Sequence, residues 1–367
     1  MSKTFYNPIL AGLVLSAGVV RGADLPARLL GANSCASSSC HGGGGAEQNQ
    51  FHVWSLKDVH SQRPFATLTT ARSLQIAAAL GISDPATEAR CTTCHAPLQT
   101  VPTEARGEHF QVSEGVTCES CHGPAETWLR AHTRQDWTRA DRTAAGMRDL
   151  QDVYVRANTC VACHQVVGTA LLQAGHPELM FELDGQSVAE PKHWRTEKNG
   201  PGAQAWLVGQ AVALREMSWE VAREPQPDAE QLARQQALWW LLQKVAATGA
   251  WPTPLPAGNE PTVGAVQKWA DDFARAAANG WPEENSRAML KALANSSTDF
   301  KNIPAAAAAR RAERLVLALD RLALPVKNSA ADLALNHLFQ LAQSRPDFDA
   351  GQFAAALDEF SRTAGGR

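Results

Sequence analysis

Gly115-Val116-Thr117-Cys118-Glu119-Ser120-Cys121-His122-Gly123-Pro124 decides how the rest of the chain is read. Two cysteines three positions apart, with a histidine directly after the second, form the attachment signature of a c-type haem: both thiols bond the porphyrin and the histidine ligates iron. The pattern recurs at Cys91-Thr92-Thr93-Cys94-His95 and Cys160-Val161-Ala162-Cys163-His164, and in stretched form at Cys35-Ala36-Ser37-Ser38-Ser39-Cys40-His41. These four motifs use all eight cysteines, leaving no thiol for a disulfide, a nucleophile or a separate metal cluster. Cysteines three apart rarely bridge each other. Zinc is the nearer rival, since two cysteine pairs can close a tetrahedral site, but it gives no reason for a histidine after every second cysteine. Four covalently bound haem c groups are therefore expected. Cys35, Cys40, Cys91, Cys94, Cys118, Cys121, Cys160 and Cys163 would attach them, with His41, His95, His122 and His164 as proximal ligands.

The remaining composition bounds the answer more loosely. A chain of 367 residues exceeds the usual single hydrophobic core, so two domains are expected. A formal net charge of -3 points to neither a nucleic-acid binder nor an acidic tail. At the N-terminus, Lys3, the apolar run Ile9 to Val20 and the small residues Gly22 and Ala23 read as a signal peptide over residues 1–23. The run is short for a bilayer, which needs about 20 apolar residues. Arg21 fits poorly before a cut at Ala23, so an uncleaved N-terminal anchor is the alternative, and the membrane becomes a partner only in that case. The expected location is the periplasm.

The expected fold class is mainly α: a multihaem domain of short helices and loops over 24–200, then an α-helical bundle over 201–367. Gln48 to Leu68 reads as a helix or helical turn with His60 near its middle, Ala71 to Leu80 as helix stopped by Gly81, and Ala96 to Glu114 as mostly loop. Trp128 to Arg142 reads as the start of a short helix. No cysteine follows Cys163, and the only histidine after His193 is His337, which reads as structural or exposed. In the second half, Leu207, Ala211, Leu214, Ser218 and Val221 form an apolar stripe. Boundary residues place further helices from Asp228 to about Gly249, Thr262 to Asn279, Pro282 to Ala294, Pro304 to Leu324, Ser329 to Ser344 and Asp349 to Thr363. Seven tryptophans in this half read as packing residues.

Of the seven histidines outside the motifs, six lie between 52 and 193. A second histidine on a haem iron fills its sixth position and favours electron transfer over ligand chemistry. His52, His60, His109, His132, His176 and His193 are the candidates for that role.

The motif order, the segment Trp54-Ser55-Leu56-Lys57-Asp58-Val59-His60, and the stretch from Gly115 to Pro124 followed by His132 resemble the tetrahaem cytochrome c-554 family of periplasmic electron carriers. The resemblance covers about residues 34–180. It implies a mostly helical wrapping of four closely stacked haems, with His60 and His132 as distal ligands and His176 as a third. It also implies an open sixth position on the haem of His95, which His109 or His193 could close here. The expected function is electron transfer between periplasmic or membrane-bound redox proteins through mostly bis-histidine haems, with residues 201–367 for docking or assembly. The alternative is a multihaem oxidoreductase acting on a small nitrogen, sulfur or oxygen species at one five-coordinate haem. A third reading is a structural subunit of a larger multihaem complex, with the bundle as its interface.

Overall fold

The computed structural model describes residues 27–194, 202–224, 226–251, 253–258, 261–324, 329–345 and 347–364. The segment read as a signal peptide and the boundary expected at residue 200 lie outside them. Among the described residues the chain is helical throughout, with two isolated β-bridges and no strand. The first half carries α1 (Gln50–Lys57), α2 (Arg63–Thr67), α3 (Ala71–Ala79), α4 (Ala89–His95), α5 (Cys118–His122), α6 (Arg139–Ala144), α7 (Val153–His164), α8 (Thr169–Gln173) and α9 (Leu183–Ala189). The second carries α10 (Gly202–Arg223), α11 (Ala229–Ala246), α12 (Val263–Asn279), α13 (Glu283–Ala294), α14 (Ala305–Ala323), α15 (Ser329–Gln343) and α16 (Ala350–Thr363).

The bundle follows its caps. The Asp228 side chain accepts from Gln231 N–H, Thr262 Oγ1 from Ala265 N–H, and Asp349 from Gly351 and Gln352 N–H, each satisfying amides that a helix start leaves open. Around α10 the stripe expectation falls short. From Ala205 to Leu214 every residue is buried, because α7, α9, α11, α12 and α14 all pack on this helix. A helix apolar on all sides is the centre of a core, not its edge. Gly209 belongs to that centre: a Cβ there would meet Leu183 Cβ at 2.8 Å.

Ala157, Val161, Phe181 and Leu183 join this core, whereas none of its buried residues comes from before Ala157. The N-terminal haem-motif region therefore lacks a large apolar core of its own among the described residues. It joins the bundle through the apolar residues of α7 and α9 and through specific polar bonds. Arg215 reaches Asn158 Oδ1 at 2.5 Å and Asp271 Oδ1 at 2.5 Å, and Asp271 also accepts from Tyr154 Oη at 2.6 Å.

Two expected helices are broken in the structure. The stretch 48–68 stops at Asp58, whose ψ of 131° leaves the helical region, so His60 sits in a turn and not mid-helix. The turn wins because its backbone pairs elsewhere: Val116 N–H donates to His60 O at 3.0 Å and Gln62 N–H to Glu114 O at 2.9 Å. Gly115 permits this approach, with φ of 73°, which favours glycine, and a Cβ there would lie a tight 3.1 Å from His60 O. Trp128 to Arg142 is likewise not one helix. A 3₁₀ turn spans Ala131–Thr133, and α6 starts after Thr138, whose Oγ1 and Asp141 form a capping box.

Candidate haem sites

Three of the motifs are built the same way: α4, α5 and α7 each end on the motif histidine, His95, His122 and His164. The first motif instead follows a 3₁₀ turn, Ala32–Cys35, and closes through Cys40 N–H and Gly42 N–H donating to Ser37 O. The thiol of Cys35 neighbours that of Cys118, and the thiol of Cys94 neighbours that of Cys163. The first motif thus lies beside the third and the second beside the fourth. Burial pushes the Cys121 thiol up to about 12 and the Cys160 thiol up to about 11, so both remain neutral. These are the groups that thioether bonds would consume.

The histidines meet in pairs drawn from distant parts of the chain. His41 and His132 have ring centroids 6.1 Å apart, His60 and His164 5.9 Å, and His95 and His176 6.4 Å. Two imidazoles bound at about 2 Å on opposite sides of one metal ion have centroids on the order of 6 Å apart. The hydrogen bonds orient the rings. His95 Nδ1 lies 2.7 Å from Pro64 O, His132 Nδ1 3.2 Å from Trp128 O, His176 Nδ1 2.8 Å from Pro177 O, and His41 Nδ1 3.0 Å from Gln50 Oε1. A carbonyl oxygen only accepts, so Nδ1 carries the proton in each ring and the neutral tautomer leaves the lone pair on Nε2. That is the arrangement a metal-binding imidazole needs.

His60 has a different partner. Asp58 Oδ1 accepts from its Nδ1 at 3.0 Å and from its backbone N–H at 2.9 Å. Burial pushes the Asp58 carboxyl up, but the His60 hydrogen bonds outweigh it and hold the group below the ordinary value. The same ring hydrogen bond raises His60.

His122 stands apart. Its buried Nδ1 has no hydrogen-bond partner, and burial pushes its pKa down to about 4, with the charges of His193, His41 and His132 adding. His193 bonds through Nδ1 to Pro191 O at 3.2 Å, with Glu190 Oε1 at 3.7 Å. Of the remaining histidines, His52 bonds through Nε2 to Gly42 O at 2.9 Å, and His109 and His337 are exposed. His176, rather than His109 or His193, is the ring that faces His95.

Sequence reasoning missed two residues that shape this region. Glu119, inside the third motif and 2% exposed, accepts from Leu30 N–H at 2.9 Å, Gly31 N–H at 2.8 Å and Ala125 N–H at 2.7 Å. Asp58 is the other. Both are acidic residues next to ligand candidates, and that adjacency is the signal that could have found them.

A chain with this motif geometry and these opposed imidazoles belongs to the class of c-type cytochromes. The family described as cytochrome c554 and c-prime matches residues 34–123, which ends just past the third motif. No curated protein and no solved structure matches the chain. The protein is a c-type cytochrome that carries covalently bound haem c and serves in electron transfer. Cytochromes of this family are typically periplasmic or extracytoplasmic. No helix among the described residues is long and apolar enough to cross a membrane.

Proposed function

We propose that the protein is a tetrahaem electron carrier of the periplasm, exported by its N-terminal segment, with the bundle over 201–367 serving as a rigid backing to the haem region and as its docking face for redox proteins. Haem c supplies a one-electron iron couple when bound. The chain supplies four attachment motifs and the rings that fill the axial positions. His41 pairs with His132, His164 with His60, and His95 with His176; His193 is the distal candidate for His122. The observation that carries this reading is that three proximal histidines each face a second histidine ring at 5.9–6.4 Å, drawn from distant sequence. The polar hydrogen bonds at Nδ1 hold those rings in place, which keeps ligation the same in both oxidation states and lowers the structural cost of electron transfer.

His122 favours a second reading. It has no opposed ring of this kind among the described residues, so an oxidoreductase acting on a small nitrogen, sulfur or oxygen species would use this position and not His95.

Haem-to-protein stoichiometry from the pyridine haemochrome, combined with electron paramagnetic resonance of the ferric protein, tests both. The carrier reading expects four haems, all low-spin, and one new high-spin haem in each of the variants His60→Ala, His132→Ala and His176→Ala. Fewer than four haems, or a spin state indifferent to these substitutions, would sink it. A native high-spin haem that binds cyanide or nitric oxide would favour the oxidoreductase.

A further inference from the structure

The candidate distal and proximal rings divide by what holds Nδ1. His41, His95, His132 and His176 donate to neutral carbonyl oxygens, and His193 to Pro191 O with Glu190 Oε1 farther off at 3.7 Å, whereas His60 donates directly to the carboxylate of Asp58, whose side chain is 2% exposed. The two differ in consequence. A carboxylate draws on the Nδ1 proton and makes Nε2 a stronger donor to a bound metal. Its full negative charge, screened little by water at this burial, also favours whichever oxidation state is more positive.

We propose that Asp58, acting through His60, makes the haem held by Cys160, Cys163 and His164 the lowest-potential site of the protein. This rests on the pairing of His60 with His164 proposed above. The reaction concerned is a one-electron reduction of ferric to ferrous iron by a redox partner, with no bond made or broken and no proton transferred. Asp58 is a positioning residue here. Its second bond, to the His60 backbone N–H, fixes the carboxylate so that the ring bond is kept. An electron reaching this site is held least tightly, so it is the last of the haems to be reduced and the first to pass its electron on.

Redox titration of the full-length haem-loaded protein, followed optically and by electron paramagnetic resonance, tests this with two variants. Asp58→Asn keeps an oxygen acceptor in place and removes the charge. The expected result is one haem, the lowest in the native protein, whose reduction equilibrium shifts at least tenfold towards the reduced form, about 59 mV for a one-electron couple, while it stays low-spin. His60→Ala should turn that same haem high-spin. If Asp58→Asn leaves every potential unchanged while His60→Ala opens one haem, the ligand pair stands and the tuning role is overturned. If Asp58→Asn itself yields a high-spin haem, the carboxylate only holds the ring in place and the tuning role is again overturned. If His60→Ala leaves all haems low-spin, the pairing fails and the inference falls with it.

Discussion

Glu178 takes both guanidinium nitrogens of Arg310, at 2.9 and 2.8 Å, and so clamps the segment just after His176 to α14 of the bundle. The guanidinium is 5% exposed and also meets Glu230 and Glu313. From the other side Arg72 of α3 donates to Gly175 O at 2.7 Å, and Gln210 of α10 donates to Phe181 O at 2.9 Å. The strap bearing His176 is thus held by both halves of the chain. Arg310→Ala removes the cation shared by three carboxylates, leaving Glu178 to Arg234 and Glu230 and Glu313 to Arg345, and losing hydrogen bonds between charged groups costs about 1.5–3 kcal/mol. The expected readings are a lower unfolding midpoint in urea and a high-spin fraction at one haem; unchanged spin in a destabilised protein would separate stability from His176 placement.

Glu119 satisfies three backbone amides at once, two of them in the segment that precedes the first motif. Glu119→Ala strands these donors in the interior, at about 1–3 kcal/mol for each one left unmet. Chemical denaturation should show a loss of several kcal/mol, with Glu119→Gln recovering only part of it because a single amide oxygen remains to accept. A stability change within about 0.5 kcal/mol for Glu119→Ala would contradict this.

Gly209 admits Leu183 against the backbone of α10. A Gly209→Ala methyl must push α9 away, and overpacking a tight core costs about 1–3 kcal/mol despite alanine's better helix propensity. Thermal unfolding should therefore fall, not rise. An increase in melting temperature would show that Leu183 can move freely.

Asp271 joins Tyr154 on α7 to Arg215 and Arg275. Burial pushes its carboxyl up, yet these three hydrogen bonds outweigh it and hold the group below the ordinary carboxylate value. With the folded value depressed, the stabilisation is present above about pH 4, where the unfolded carboxylate is ionised, and is lost as pH falls through the folded value. The stability gap between the native protein and Asp271→Asn should hold at neutral pH and shrink in acid. A gap that stays constant down to pH 3 would refute it.

The bundle was legible almost to the residue because its boundaries are local. Asp228, Thr262 and Asp349 cap helices by bonding amides two or three residues away. Gln231, three residues after Asp228, does not complete a capping box, since its buried side-chain amide returns no hydrogen bond to the Asp228 backbone. The four cysteine–histidine motifs are contiguous, so their spacing is read directly from the sequence. What the sequence hid is whatever depends on distant partners. The helix expected through His60 breaks because residues 60–62 pair with 114–116, and no pattern within 48–68 records that. The all-round burial of α10 escaped for the same reason, as it is set by five neighbouring helices. Thr138 and Asp141 were a missed local signal, a capping box readable three residues apart.

The three ring pairs interlock along the chain: His41 with His132, His60 with His164, His95 with His176, each opening before the previous one closes. A single cut anywhere between residues 96 and 131 would sever the covalent path within all three. No stretch of this region can be excised as a self-contained unit, and no ring pair can be gained or lost by the shuffling of one contiguous cassette. Assembly must also wait until residue 176 has been made before the last of these pairs can close, whatever the order in which the motifs appear.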